Sequence, residues 1–328
     1  MRHATTFADA FARARAHRSS LLSSTTTTAY RLFDGAGDDL PGVYVDRLGP
    51  AAVLGVYDDA RWSEEAVSAA AATVLEATRD IGIESVYVKR FLKDRSRLGG
   101  KPPAESTSHT PRAGIRQPEA LTVYEYGVGF EVRLFDGFST GLFLEHREHR
   151  RALAERGATR ALNLFAYTCA FSVPLAAAGA HVTNVDVSAR YLEWGKRNHA
   201  LNGLDESRVR YSRMDATAYL AYAARHAHER FDLIVIDPPT FGAGNSRRGV
   251  KPWKATADLP KLIAAAAAVL RPGGQIFAST NARELAVDGE LTSMIEATLG
   301  RVRWESLPPW PKDVRERGRV AATLFTPR

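Results

Sequence analysis

Four apolar residues, Leu233-Ile234-Val235-Ile236, run straight into Asp237-Pro238-Pro239-Thr240-Phe241. An acid at the end of an apolar run, followed by residues that cannot extend a strand, is a combination able to do chemistry. Pro238 and Pro239 carry no N–H and fix φ, so chain direction and carbonyl positions become rigid. The Asp237 carboxylate accepts hydrogen bonds and Phe241 offers a flat face. Asp237, Pro238 and Pro239 can therefore hold the edge of a planar base while Phe241 covers it, a stacking contact worth roughly 1–3 kcal/mol per base. A strand stop with a capping Asp is the plainer alternative.

Two further acids stand at strand ends. Asp186 closes an apolar run 23 residues after Asn163, and a carboxylate there suits a ribose diol because it accepts two hydroxyl hydrogen bonds. Asp215, in Ser212-Arg213-Met214-Asp215, can accept from an adenine amino group. Either acid also serves as a helix N-cap. Upstream, Leu162–Ser172 reads LNLFAYTCAFS, with small or polar Asn163, Ala166, Thr168, Cys169 and Ala170 before a helix. Backbone in such a turn can approach a ligand closely. The turn lacks both Gly-x-Gly-x-x-Gly and Gly-Lys-Ser/Thr, so neither a nicotinamide fingerprint nor a P-loop is present.

The elements that must position these groups follow from periodicity. From Arg160 onward strands and helices alternate. Strands are expected at Ala161–Phe165, His181–Asp186, Val209–Ser212, Phe231–Asp237, Gly274–Thr280, Val302–Leu307 and Val320–Phe325, with helices such as Ser188–Asn202 and Thr256–Leu270. Alternation of this kind implies parallel strands with crossovers on both faces, and ligands beyond the strands' carboxyl ends. Before it, Leu40–Tyr57 reads as two short strands around Gly-Pro, Ser63–Thr78 as a helix, Glu84–Lys89 as a strand, Leu98–Ala120 as a loop, and Leu121–Phe135 as a return to β structure. The fold class is α/β. The expected domains are a small α+β domain over 1–126, which opens on a helix and guides substrate, and a larger one over 127–328.

Composition bounds the setting. The chain has 328 residues, 25% charged and 45% hydrophobic, as in globular proteins. No apolar run approaches the roughly 20 residues that span a bilayer. An amphipathic helix is favoured over a transit peptide at the start, no secretory signal is read there, and a cytoplasmic location is expected. One Cys excludes an intrachain disulfide and a multi-Cys metal cluster, and no metal is expected. Net charge is +7, from 44 cations against 37 anions. Positive charge is dense at Lys89–Lys101 and at Arg247, Arg248, Lys251 and Lys254, which suits a polyanion such as RNA.

The chain resembles the class I S-adenosylmethionine-dependent methyltransferases, and within them the bacterial large-subunit (23S) ribosomal RNA group, whose members methylate cytosine C5 or guanine N7. The matching stretches are Thr140–Arg147 with Arg150, Leu162–Cys169, Val185–Leu204 and Leu40–Gly49. Glu145, His146 and Cys169 stand where the family pattern has Asp, Gln and Gly. The likeness runs from about Tyr30 to Arg328, without a separate N-terminal RNA-binding domain of the PUA kind. It implies a Rossmann-like seven-stranded sheet with S-adenosyl-L-methionine at Arg147, Asn163, Phe165, Ala166, Tyr167, Thr168, Asp186, Asp215 and Asp237. Asp237-Pro238-Pro239 with Phe241 is similar to the Asn/Asp-Pro-Pro-aromatic motif of amino-methylating enzymes, the aromatic coming one residue later. His146 is read as lining the cofactor pocket. Arg147 and Arg150 hold the cofactor carboxylate or pair with Glu145 and Glu148.

Cytosine C5 enzymes of the group add a Cys thiolate to C6, from a position after the fifth strand. Here that position reads Ser279, Thr280, Asn281. Methylation of a base nitrogen in ribosomal RNA is therefore expected, guanine being favoured. A small-molecule methyltransferase and a non-catalytic RNA-binding module remain the alternatives, and the oligomeric state is left open, a homodimer included. For Trp253 and Lys254, RNA contact and surface packing stand as equals. Pro308–Asp313, PPWPKD, is read as a structural loop.

Overall fold

The computed structural model describes residues 6–92, 103–244, 250–316 and 318–328. The chain divides into two compact units, Met1–Arg147 with Trp310–Glu316, and Glu148–Pro309 with Arg317–Arg328.

The first unit opens on α1 (Phe7–His17), capped by Thr6, whose hydroxyl accepts the Asp9 N–H. Ala10, Phe11 and Ala14 recur at helical spacing and are buried. The short α2 (Ser19–Leu22) follows, then β1 (Ala29–Asp34), β2 (Val43–Leu48), β3 (Ala51–Tyr57), α3 (Glu64–Ala77), β4 (Ser85–Phe91) and β5 (Ala113–Gly114). These strands form one sheet in the order β1-β2-β3-β4-β5. Gly49-Pro50 turns β2 antiparallel onto β3, whereas β3 and β4 are parallel because α3 provides the crossover. Phe11, Ala14, Leu32, Val45, Leu54, Val67, Val74 and Val86 pack in the core between helices and sheet. The strand at β1 was not expected from sequence. Arg31 and Asp34 break its apolar pattern, and both are consumed by ion pairing, Arg31 with Asp46 and with Asp34.

A hairpin of β6 (Leu121–Glu125) and β7 (Val128–Val132) completes this unit. Tyr126 and Gly127, both at positive φ, are its turn. The boundary expected after residue 126 thus falls inside a hairpin whose strands pair, and the first unit runs to Arg147. The basic cluster at Lys89–Lys101 also changes meaning. Lys89 is not on the surface; its ammonium is buried and donates to the Gly137 carbonyl. Burial lowers its pKa to about 8 against the opposing pull of Asp136. Lys93 to Lys101 lie outside the described residues, as do Arg247 and Arg248.

Residues Trp310–Glu316 belong to the first unit through charge. Asp313 is fully buried; its carboxylate takes both terminal nitrogens of Arg147 and the Arg31 N–H, and its carbonyl accepts from Arg18. Arg18, 1% exposed, also forks onto Asp38 at 2.6 Å. Asp34 accepts the backbone N–H groups of Arg315 and Glu316. The expected structural role of the Pro308–Asp313 stretch is met here by Asp313.

In the second unit α4 (Arg147–Ala154) leads into β8 (Arg160–Leu164), α5 (Ser172–Ala177), β9 (His181–Asp186), α6 (Ala189–Leu201), β10 (Val209–Arg213), α7 (Ala216–Ala224) and β11 (Phe231–Ile236). A two-stranded ribbon of β12 (Phe241–Gly242) and β13 (Trp253–Lys254) precedes α8 (Ala255–Ala267), β14 (Leu270–Thr280), α9 (Glu290–Leu299), β15 (Val302–Glu305) and β16 (Ala321–Pro327). The seven-stranded sheet has the order β10-β9-β8-β11-β14-β16-β15. Strands β10, β9, β8, β11 and β14 are parallel, as alternation implied. β16 is antiparallel to both its neighbours, because no helix separates it from β15 to carry a crossover. β11 is central and almost wholly buried, which explains its unbroken apolar run. Order reverses between β8 and β11, so the crevice of the sheet opens at their carboxyl ends.

Replacing Asp313 by Ala removes the bidentate carboxylate from the buried Arg147 guanidinium. Loss of one partner of a buried pair costs about 3–5 kcal/mol. Urea unfolding monitored through the first unit is expected to show a midpoint lowered accordingly, and an unchanged midpoint would deny the pair that role.

Candidate active site

Carboxyl ends of β10, β9, β8 and β11 lie side by side, and each delivers one of the residues singled out by sequence. After β8 the chain makes an unusual turn. Phe165, Tyr167 and Cys169 all adopt left-handed backbone, with φ of 53°, 49° and 63°, although none is glycine. Such conformations cost about 1–3 kcal/mol each and persist only where surroundings over-determine them. The surroundings do so here. Ala166 N–H bonds the Val185 carbonyl at 3.0 Å and Cys169 N–H the Ala166 carbonyl at 2.7 Å. Asn198 of α6 donates to the Thr168 carbonyl at 2.8 Å. Gly195 of α6 lies so close that a Cβ there would stand 2.2 Å from the Cys169 sulfur.

Asp186 ties this turn to the next strand. One carboxylate oxygen accepts the Tyr167 N–H at 2.9 Å and the other the Ser188 N–H at 2.8 Å. Burial raises its pKa, and these two hydrogen bonds pull it back. A carboxylate retains acceptor capacity beyond two bonds. Asp215 is the N-cap of α7: one oxygen accepts from Thr217 and Ala218. Its second oxygen has no hydrogen-bond partner among the described residues. Beside the two acids, Val187 and Met214 remain 40% and 37% exposed, and Met214 N–H bonds the Asp186 carbonyl at 3.2 Å. Two acceptors with an exposed apolar residue next to each in sequence, at adjoining strand ends, are groups that could receive the donors and faces of an adenosine.

The β11 turn is held differently, by hydrogen bonds to its carbonyls and side chains. Asp237 accepts the Ser279 hydroxyl of β14. Burial raises the Asp237 pKa; the Ser279 hydrogen bond and the positive charge of Arg150 lower it. Arg150 is itself buried, its guanidinium over the Phe171 ring at 5.7 Å. Trp253 donates its indole N–H to the Pro239 carbonyl at 2.8 Å and packs on Phe165 with ring centroids 5.0 Å apart. Thr240 donates to Asn281, and its carbonyl accepts the Ala255 N–H at 3.0 Å. No donor among the described residues bonds the Pro238 carbonyl. Phe241 is 68% exposed.

The fold brings Phe165, Ala166, Tyr167, Thr168, Asp186, Asp215 and Asp237–Phe241 to one edge of one sheet. Three expected residues are engaged elsewhere. The Asn163 amide is buried and bonds Asn184 of β9 at 3.2 Å. Arg147 lies in the first unit, where its guanidinium holds Asp313. His146, also in that unit, faces the Trp310 ring. Ser279, Asn281, Arg150 and Trp253 were not singled out as holding Asp237 and its turn. The signal was available only for Ser279 and Asn281, polar residues at the end of an apolar strand.

A family profile described as S-adenosylmethionine-dependent methyltransferase matches residues 111–325. The chain is 35% identical over 276 residues to the ribosomal RNA large subunit methyltransferase K/L of Pseudoalteromonas translucida, covering 81% of this chain and 36% of that protein. It is 37% identical to the protein of that name from Shewanella amazonensis, covering 80% and 35%. The chain thus spans about a third of the length of these relatives. Among solved structures it is similar to SMU.776, described as a methyltransferase complexed with SAH, at 28% identity and a TM-score of 0.82 over 99% of this chain and 83% of that one.

Gly195→Ala would gain helix propensity worth about 1 kcal/mol, yet its methyl group meets the Cys169 sulfur. Overpacking of about 1–3 kcal/mol should win. A lowered melting temperature with faster amide exchange at Tyr167 and Cys169 is expected; a raised melting temperature would show that the turn tolerates displacement.

Proposed function

The chain belongs to the S-adenosylmethionine-dependent methyltransferase family, and from that premise we propose that it methylates a nitrogen of a base in large-subunit ribosomal RNA, guanine being the favoured base. The reading is supported by one juxtaposition: the Asp186 and Asp215 acceptors and the Asp237-Pro238-Pro239 turn follow the carboxyl ends of β9, β10 and β11 in one sheet, with β8 between β9 and β11. S-adenosylmethionine, when bound, supplies an electrophilic methyl group. The residues present fit it: Asp186 suits the ribose diol, Asp215 the adenine amino group, and Val187 and Met214 the faces of the purine.

This chain's own residues then have to hold a nucleophile in line, a proximity effect that requires rigid alignment. The Asp237 carboxylate and the Pro238 carbonyl accept N–H donors from the base edge. Guanine suits them because its N1–H and N2–H₂ donors are adjacent, whereas an ionised carboxylate can only accept. Phe241 covers the base. A base in structured RNA must be flipped out to reach this lip. The ribosomal RNA assignment is supported by the names of the relatives and by the +7 net charge. A cytoplasmic site of action follows from that substrate, and no helix among the described residues is long and apolar enough to cross a membrane.

Attack by cytosine C5 would require a thiolate. Cys169 is the sole cysteine, it is fully buried, and burial raises its pKa far above the usual thiol value. It stays a thiol and packs against α6. A nitrogen lone pair needs no such catalyst.

Asp237→Ala is expected to fold and to bind S-adenosylhomocysteine as the parent does, while turnover falls about 100-fold or more. Equal turnover would reject the role. Because burial raises the Asp237 pKa in the fold, its linkage contribution favours folding below the ordinary carboxyl pKa and is lost as pH rises through the folded value. Asp237→Asn should therefore melt no lower than the parent at pH 7, yet turn over more slowly, and parent activity should fall on acidification with a midpoint above 3.8. Cys169→Ser should keep its turnover; a large loss accompanied by a trapped covalent RNA adduct in the parent would establish thiolate chemistry. The substrate itself is tested by mass-spectrometric mapping of modified nucleosides in RNA from cells with and without the protein, where an unchanged ribosomal RNA profile would overturn the assignment.

A further inference from the structure

The β12–β13 ribbon carries a pair of side chains that the turn chemistry does not use. Phe241 is directly opposite Lys254, and Gly242 directly opposite Trp253. Side chains alternate faces along a strand, so the two pairs point in opposite directions. Trp253 faces inward: it packs against the core of the second unit and bonds the Pro239 carbonyl. Gly242 leaves it room, since a Cβ there would stand 3.2 Å from the Trp253 Cβ. Phe241 and Lys254 therefore share the outward face, and both are exposed. Directly opposed residues have Cβ atoms about 4.5–5.5 Å apart. The Lys254 ammonium has no ion-pair or hydrogen-bond partner among the described residues; only its backbone N–H is engaged, by Asp258 at 2.9 Å. Lys251, nearby on the same segment, is exposed as well.

Nothing in packing explains why an aromatic ring should stand 68% exposed beside an unpaired cation on a ribbon so firmly held from behind. The chemistry that does explain it is a nucleotide, a flat base joined to a phosphate. Building on the base-methylating reading above, we propose that Lys254 is a substrate-positioning residue that contacts a backbone phosphate of the RNA strand whose target base stacks on Phe241. The lip then selects a nucleotide within a single-stranded polynucleotide over an uncharged heterocycle or a free nucleotide. Because Trp253 fixes the same ribbon to Pro239, a phosphate held at Lys254 sets the position of the base at Asp237. Lys254 reaches phosphate as a compact charge on a flexible stem, so arginine can substitute for it at a point contact of this kind.

The test compares the parent with Lys254→Ala, Lys254→Glu and Lys254→Arg. Steady-state methyl transfer to ribosomal RNA is measured beside fluorescence-anisotropy binding of a single-stranded oligonucleotide at several salt concentrations. Lys254→Ala is expected to raise KM for RNA about fivefold and to lessen the slope of log affinity against log salt by about 0.7, one single-strand phosphate contact. Affinity for S-adenosylhomocysteine should be unaltered, Lys254→Glu more severe, and Lys254→Arg close to the parent. KM and salt slope in Lys254→Ala equal to the parent's, in a protein that methylates RNA, would overturn the inference alone. A parent that methylates no RNA but shows the slope change would retain the phosphate contact and remove the methylation reading. Loss of neither activity nor slope with an oligonucleotide, set against weakened binding of guanosine monophosphate, would assign Lys254 to a free nucleotide and overturn the polynucleotide claim.

Discussion

Three side-chain-bearing residues in left-handed backbone within one five-residue turn form the constraint on which the second unit's chemistry depends. Phe165, Tyr167 and Cys169 hold that geometry although each would relax elsewhere. What prevents relaxation is local and non-local at once. Asp186 draws in the Tyr167 N–H from the end of β9, and Asn198 draws in the Thr168 carbonyl from α6. Cys169 fills the hollow that Gly195 leaves. A single carboxylate thus shapes the turn and is the group proposed to take the ribose. Its raised pKa is the cost of placing a charge at a half-buried strand end, and the two N–H donors oppose that rise.

The facing lip solves a related problem without strain in the same sense. Pro238 and Pro239 stiffen the chain, and three side chains fix what remains: Ser279 on Asp237, Trp253 on the Pro239 carbonyl, Asn281 on Thr240. Trp253 also lies against Phe165, so the two turns are braced against each other through one aromatic contact. That bracing matters because displacement chemistry rewards alignment, and a shift of about 1 Å at a reacting centre can cost on the order of 100-fold in rate.

Much of this was legible from residues alone. The Gly-Pro turn between β2 and β3, the ends of β9, and α6 with Ser188 and Asn202 at its caps follow from local periodicity and turn chemistry. Asp186 and Asp215 were legible as acids at strand ends, and Asp215 proved to be a cap as well as a candidate acceptor. What escaped depends on partners distant in sequence. Asp313 claims Arg147 from 166 positions away, and nothing near Arg147 announces it. Lys89 looks like one cation among several until β4 carries it inside. Asn163 looks available at its strand end, but the parallel register with β9 sets it against Asn184. The left-handed turn was invisible too, since residue types that avoid such backbone gave no hint that packing would impose it.

Where the protein has placed its one cysteine sulfur bears on the acceptor atom of the proposed reaction. A thiolate nucleophile needs exposure, a nearby positive charge or a helix N-terminus to lower its pKa. Cys169 precedes α5, but it is buried and wedged against Gly195, burial raises its pKa, and it lies in the β8 turn rather than in the β11 turn proposed to hold the base. The lip itself offers acceptors: the Asp237 carboxylate, whose pKa burial raises while Ser279 and Arg150 pull it down, and the Pro238 carbonyl. Acceptors can orient a base by its N–H groups but cannot activate an unreactive ring carbon. In the proposed reaction, oriented acceptors and an aromatic cover suit an atom that already carries a lone pair, and rigidity of the two braced turns, rather than a reactive side chain, would supply the rate.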